Sequence, residues 1–212
     1  MKFEKIGITT LVTLLTTVTT SFILDSSLLF SSRSAFSQPT PSTKNNSEIC
    51  QVRSQSMLPS LNLYDNVLVD KLSYRSQPPK RGDTIVFKPT ESMMKPLIRY
   101  QFTNFDDVFI VKRVIGLPGE KLWIVDGQVY INSQPLKEKY IRQKPTYSFK
   151  PVTIPPKSYF VLGDNRNNSY DSHKWGFVSQ NSIIGQVVKI YGKTSVESEL
   201  EKQSSNRNCK LF

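Results

Sequence analysis

Beyond residue 49 the chain alternates short runs of β-branched and aromatic residues with prolines and turn residues. The runs cover residues 66–70, 84–88, 108–115, 121–125, 128–132, 159–162 and 183–191. The dipeptide Asp126-Gly127 between two of them is typical of a tight β-hairpin turn. Prolines recur too often for a helix of three turns, because proline removes a main-chain donor and clashes with the preceding turn. The pattern therefore predicts a mainly β domain of antiparallel sheets over residues 49–192.

Residues 6–24 form a stretch of nineteen residues without a charge, and Lys2 and Lys5 precede it. A helix of that length is about 28 Å long, close to the thickness of the bilayer hydrocarbon. We therefore expect a transmembrane anchor at 6–24, with residues 1–5 in the cytoplasm by the positive-inside rule. A cleaved secretory signal is the alternative, because Ala35-Phe36-Ser37 has the small-x-small pattern of a cleavage site. Both interpretations carry the rest of the chain across a membrane.

The segments that flank the predicted β domain are polar. Residues 25–48 are rich in Ser, Thr, Pro and Asn, which predicts a linker, and residues 193–212 predict a loose C-terminal tail. The net charge is +11, but no run of four basic residues occurs. We therefore expect no nucleic-acid partner.

The cysteine and histidine content excludes several chemistries. Two Cys and one His cannot complete a four-ligand zinc site, and the sequence has no Cys-x-x-Cys motif. Glycine motifs that bind nucleotide phosphates are also absent, so we expect neither a cofactor nor a metal. Free thiols are the favoured interpretation of Cys50 and Cys209, and a disulfide between them is the alternative.

Three segments carry residues that could perform chemistry. In the first, Ser54 and Ser56 are two positions apart, so in an extended chain their hydroxyls share one face. One hydroxyl could attack a carbonyl while the other donates a hydrogen bond to the oxyanion. Surface hydroxyls in a serine-rich stretch are the simpler alternative.

The second segment is the apolar run that contains Lys112 and Arg113. Alternation along a strand directs these two side chains to opposite faces. Loss of hydration lowers the pKa of a lysine, and a neutral lysine is a competent general base, whereas arginine stays protonated. A lysine that protects an edge strand from aggregation is the alternative.

The third segment is the polar loop 163–173, between the run 159–162 and the bulky apolar residues 175–178. Such loops can form rigid hydrogen-bonded scaffolds at functional sites, and Ser169 could orient a nearby base. An ordinary surface loop is the alternative.

Together the three segments resemble type I signal peptidase, the membrane-bound Ser-Lys protease that removes signal peptides from exported proteins. The motifs are Ser-x-Ser-Met-x-Pro at 54–59, Lys-Arg-Val-Ile-Gly-Leu-Pro-Gly-Glu at 112–120 and Gly-Asp-Asn-Arg-Asn-Asn-Ser-x-Asp-Ser at 163–172. The last motif looks most like the photosynthetic branch, which includes the thylakoidal processing peptidases.

The resemblance implies a role for each matching residue. Ser56 matches the nucleophile and Lys112 the general base, and Ser54 joins the main-chain N–H of Ser56 in the oxyanion hole. Ser169 matches the hydroxyl that positions the lysine, and Asp171 matches the acidic residue that supports the loop.

His173 is interpreted as a loop residue. A Ser-His-Asp triad, with Asp164 or Asp171 as its acid, is the alternative.

The resemblance also implies the partners. Substrates are preproteins whose signal peptides carry an Ala-x-Ala site and lie extended beside the strands of the nucleophile and the base. Val52, Phe87 and Val111 are candidates for the substrate pockets, and Met57 and Leu58 are candidates for contact with the lipid bilayer. We expect a monomeric, single-pass protein of the cell or thylakoid membrane, with its catalytic domain on the far side from the cytoplasm.

Two rival functions remain. A self-cleaving repressor is disfavoured, because the first 48 residues cannot supply a DNA-binding domain. A catalytically silent membrane paralogue, acting as a binding or assembly module, is the other alternative.

Overall fold

The computed structural model describes residues 46–94, 108–193 and 209–212, which all belong to one compact unit, Thr43–Phe212. The predicted cytoplasmic segment and anchor, the alternative cleavage site and most of the predicted linker lie outside the described residues. Within the described ranges, no helix has the length and apolar character needed to cross a membrane.

The described chain is mainly β, as predicted. The strands are β1 Ser47–Val52, β2 Asn66–Asp70, β3 Thr84–Phe87, β4 Val108–Gly116, β5 Lys121–Val125, β6 Gln128–Ile131, β7 Gln134–Pro135, β8 Phe149–Thr153, β9 Ser158–Leu162, β10 Val178–Ser179, β11 Ile183–Gly192 and β12 Lys210–Leu211. The helices are single turns, α1 Glu91–Met94 and α2 Ser172–Trp175, with 3-10 turns at Arg166–Asn168 and Gln180–Ser182. All seven predicted runs are strands, with ends within one residue of the prediction.

Six strands of the larger sheet form a closed ring. The sheet order is β10-β9-β4-β12-β1-β2-β11-β3, and β3 pairs back to β4. Along β4, β3 occupies one edge, while β12 and β9 share the opposite edge. The pairs are antiparallel except those of β12, which is parallel to both β1 and β4. The prediction of antiparallel sheets therefore holds for every pairing but these two.

The smaller sheet has the order β7-β6-β5-β8. Its central hairpin turns at Asp126-Gly127, where both residues have positive φ, 50° and 72°. A two-residue turn of this kind follows the right-handed twist of the strands, and the predicted hairpin is confirmed. Apolar residues of this sheet pack against β4 and β9 in one core cluster.

The last four residues are not a loose tail, and that part of the prediction is wrong. Lys210 and Leu211 form β12 between β1 and β4, and a disulfide joins Cys209 to Cys50 on β1. The interpretation of these cysteines as free thiols is therefore wrong as well. Glu48 lies beside the bridge, but two bridged sulfurs are not thiolates that could bind a metal with it. A strand of two residues has no periodicity that a sequence pattern could reveal.

Candidate active site

The structure brings Ser56 and Lys112 into direct contact. Ser56 lies in the turn that follows β1, and Lys112 lies in the middle of β4. The Lys112 ammonium nitrogen, Nζ, is 2.9 Å from Ser56 Oγ and 2.8 Å from the main-chain oxygen of Val111. A hydroxyl and an amine at hydrogen-bond distance are the arrangement that proton transfer from a serine nucleophile requires.

Lys112 is buried, and its burial changes its acidity. Only 2% of the residue is exposed, and loss of hydration lowers its pKa from 10.5 to about 8. The negative charges of Asp171 and Asp164 act in the opposite direction and limit the fall in the pKa. The pKa therefore lies near neutral pH, where a general base is most effective.

The turn that holds Ser56 is fixed by buried apolar residues. Met57 and Leu61 belong to the core cluster inside the ring, and the Leu61 N–H donates to the Met57 carbonyl at 2.9 Å. Met57 has no exposed surface, so the prediction that it contacts the lipid bilayer is wrong. Ser54 Oγ is 3.0 Å from Ser56 Oγ, so the two hydroxyls share one face as predicted.

The polar loop after β9 docks directly onto this turn. The Asn165 N–H donates to the Ser56 carbonyl at 3.0 Å, and the Asn165 side chain donates to the Gln55 carbonyl at 3.1 Å. A Cβ on Gly163 would collide with Ser169 Oγ and with the Ser56 carbonyl oxygen. Glycine at 163 therefore allows the loop and the turn that contains Ser56 to approach each other closely.

Asp171 holds the two ends of the loop together. One carboxylate oxygen accepts the Gly163 N–H at 2.9 Å, and the other is 2.6 Å from His173 Nδ1. His173 thus contacts Asp171, whereas the described side-chain partners of Ser56 Oγ are Ser54 and Lys112. The structure does not assemble the alternative Ser-His-Asp triad.

The Ser169 hydroxyl is buried next to Gly163, and its Oγ has no hydrogen-bond partner among the described residues. The contacts of Lys112 Nζ go instead to Ser56, Val111 and the main-chain oxygen of Phe212, the last at 3.2 Å. The predicted role of Ser169 in positioning the lysine stays a prediction.

Comparison with known proteins identifies the family. A family model described as signal peptidase, peptidase S26, matches residues 42–192. The chain belongs to this family.

Individual relatives within the signal peptidase family agree with the resemblance inferred from the three motifs. Signal peptidase I of Leptolyngbya laminosa is 50% identical over 137 residues, which are 65% of this chain and 64% of that protein. Probable signal peptidase I-2 of Synechocystis sp. is 45% identical over 135 residues, 64% of this chain and 58% of that protein.

A chloroplast protein is similar to the chain as well. Probable thylakoidal processing peptidase 2 of Arabidopsis thaliana is 34% identical over 174 residues, 82% of this chain and 42% of that protein. The resemblance to the photosynthetic branch is therefore confirmed. The matched regions span less than two thirds of the length of each of these three relatives.

Two ion pairs that no local sequence pattern predicts brace the candidate site. Arg113 makes two bonds to Asp164, at 2.8 and 2.6 Å, and Arg166 makes two to Glu138, at 2.7 and 2.6 Å. Both guanidinium groups lie over the Tyr140 ring, at 4.3 and 6.0 Å from its centre. Arg113 and Lys112 do point to opposite sides of β4, as alternation predicts.

The three candidates for the substrate pockets fall into two places. Val52 and Val111 belong to the core cluster inside the ring, next to Met57 and Leu211. Phe87 belongs to a different cluster, where its ring packs on Trp175 at a centroid distance of 6.0 Å. The geometry thus brings Val52 and Val111 together and separates Phe87 from them.

Proposed function

We propose that this protein is a serine endopeptidase that removes N-terminal signal peptides from exported preproteins. The contact of 2.9 Å between Lys112 Nζ and Ser56 Oγ carries the proposal, because the lysine is buried and its pKa is lowered to about 8. Membership of the signal peptidase family supports the substrate class.

The mechanism follows from the two groups. Neutral Lys112 accepts the proton of Ser56 Oγ as that oxygen attacks the scissile carbonyl. The Ser54 hydroxyl and the main-chain N–H of Ser56 donate to the oxyanion. The protonated lysine gives its proton to the departing amine, which leaves an acyl ester on Ser56. Lys112 then activates a water molecule that hydrolyses the ester and restores both groups.

Ser169 and Asp171 are proposed as positioning residues. Asp171 binds both ends of the loop through Gly163 and His173, so it fixes the loop that carries Ser169. The Ser169 hydroxyl is buried, and no described residue forms a hydrogen bond with it.

The substrate is proposed to bind as an extended strand. Main-chain hydrogen bonds to β1 and β4 would hold it, and an Ala-x-Ala site would place its small side chains toward Val52 and Val111. Phe87 remains a pocket candidate, but its separate cluster gives it less support.

The setting is proposed to be a cell or thylakoid membrane. Residues 6–24 would span it once, with residues 1–5 in the cytoplasm, and the catalytic domain would act as a monomer on the other side. Confinement of enzyme and signal peptide to one bilayer raises the effective concentration of the cleavage site.

The test compares four full-length proteins in detergent on a preprotein with an Ala-x-Ala site. Ser56→Ala and Lys112→Ala should each abolish cleavage while the melting temperature shows a folded protein. Lys71→Ala is the matched control, because the Lys71 side chain is 39% exposed and pairs with Glu48. Full activity of Lys112→Ala refutes the dyad. An inactive but folded wild type refutes the enzyme and favours the silent paralogue.

A further inference from the structure

The short strand β12 closes the ring between β1 and β4. It touches β1 and β4 over two residues each, Lys210 and Leu211, and it is the strand that bridges those two. Without β12, β1 would keep its pairing with β2, and β4 would keep its pairings with β3 and β9. The ring would then contain an open groove one strand wide.

Main-chain hydrogen bonds hold the segment 209–212 on both sides of this groove. Toward β1, Gln51 and Arg53 donate to the carbonyls of Cys209 and Leu211 at 3.0 and 2.7 Å. Toward β4, Phe212 donates to Phe109 and accepts from Val111, both at 2.9 Å. An extended peptide substrate would use the same donors and acceptors.

The segment also runs in the direction that a substrate needs. Its C-terminal side reaches the dyad, where the main-chain oxygen of Phe212 is 3.2 Å from Lys112 Nζ. The same nitrogen is 2.9 Å from Ser56 Oγ. A substrate bound in this way presents a main-chain carbonyl to Ser56, with the residues before the scissile bond along the groove.

The Leu211 side chain of the segment points into the groove. Leu211 has no exposed surface and packs with Val52 and Val111, while the neighbouring Lys210 is exposed. The walls to which an Ala-x-Ala site would turn are therefore covered by a residue of the same chain.

A covalent tether keeps the segment in place. The disulfide joins Cys209 to Cys50, which is 159 residues away in the sequence and lies on β1 itself. A ligand tethered this closely has an effective concentration of about millimolar or more, so a free peptide must compete against it.

We propose that residues 209–212 are an intramolecular competitor that occupies the peptide-binding groove of this protease. This inference rests on the proposed function, because it assigns the groove to the substrate. Signal peptides gain access when the segment leaves the groove, and the disulfide to Cys50 opposes its departure.

Binding of a product-like peptide tests the proposal without turnover. The probe is a fluorescein-labelled hexapeptide acid that ends in Ala-x-Ala, and fluorescence anisotropy measures its affinity for full-length protein in detergent. All proteins carry Ser56→Ala, so the probe reports only occupancy of the groove. Removal of residues 209–212 should tighten binding at least tenfold.

Matched substitutions keep the test valid where the shortened protein fails to fold. Leu211→Asp places a charge in the buried position and should expel the segment, which tightens binding about tenfold. Lys210→Asp introduces the same side chain at the adjacent exposed position and should change the affinity by less than twofold. Cys50→Ser and Cys209→Ser each remove the tether. The two single substitutions should therefore tighten probe binding equally.

Equal probe affinities of the Ser56→Ala protein, its shortened form and its Leu211→Asp form overturn the proposal, and so does an absence of binding by all three. The cleavage assay with Ser56→Ala tests the proposed function separately. Cleavage that depends on Ser56, together with equal probe affinities, would support the proposed protease function and refute only the proposed competitor.

Discussion

Replacing Lys112 by methionine should abolish cleavage and change how stability depends on pH. Burial lowers the lysine pKa from 10.5 to about 8, so the folded protein releases this proton at a lower pH than the unfolded chain. Below pH 8 both states are protonated, and the folded state bears the full cost of the buried charge. That cost corresponds to about 3 kcal/mol.

The cost disappears as the pH rises. Between pH 8 and 10.5 the unfolded chain binds the additional proton, so the free energy of unfolding increases with pH. Methionine is similar in length to lysine and does not titrate, but it cannot form the hydrogen bonds of the amine, each of which contributes about 1 kcal/mol. Between pH 7 and 11 the free energy of unfolding of the wild type should therefore increase by about 3 kcal/mol relative to that of Lys112→Met.

Urea unfolding of both proteins at several pH values measures this difference, because the other titrating groups are common to both and cancel. Lys121→Met, at an exposed position of β5, controls for the loss of a surface charge. A difference between wild type and Lys112→Met that stays constant from pH 7 to 11 refutes the reasoning. In the wild type, kcat/KM should also fall about tenfold for each pH unit below the lysine pKa.

Three further substitutions test the site. Gly163→Ala should cost about 1–3 kcal/mol in thermal melting and lower kcat, because its Cβ meets the Ser56 carbonyl oxygen; unchanged stability and activity would contradict this packing. Glu138→Gln should lower the free energy of urea unfolding by about 3 kcal/mol, because it leaves the fully buried Arg166 side chain without its ion pair. A loss below 1 kcal/mol would contradict this role of the ion pair. Ser54→Ala should reduce kcat about a hundredfold on a soluble peptide with KM unchanged, since the hydroxyl acts only on the oxyanion; a change confined to KM would exclude this role.

The sequence was informative wherever a local pattern repeats. The seven predicted strands follow from runs of β-branched residues between turns, and the opposite directions of Lys112 and Arg113 follow from alternation along β4. The contact between Ser56 and Lys112 required the family resemblance, because their positions are 56 residues apart.

Features that depend on contacts between distant residues could not be read from the sequence. The Arg166–Glu138 pair joins residues 28 positions apart, and the Cys50–Cys209 bridge joins residues 159 apart. β1 begins at Ser47, inside the predicted linker, because its pairing with β2 stabilises residues whose composition alone is typical of a flexible chain. Tertiary pairing outweighs local composition at both ends of the domain.

The insertion of β12 between β1 and β4 also limits the shape of any chain that replaces it. Neighbouring strands are about 4.8 Å apart, so a groove flanked on both sides admits one strand and no more. A hairpin or the edge of a folded sheet already has a neighbour on one side, and it would collide with β1 or β4. In the proposed mode of binding, the groove would therefore accept a single unfolded segment and exclude the strands of folded proteins.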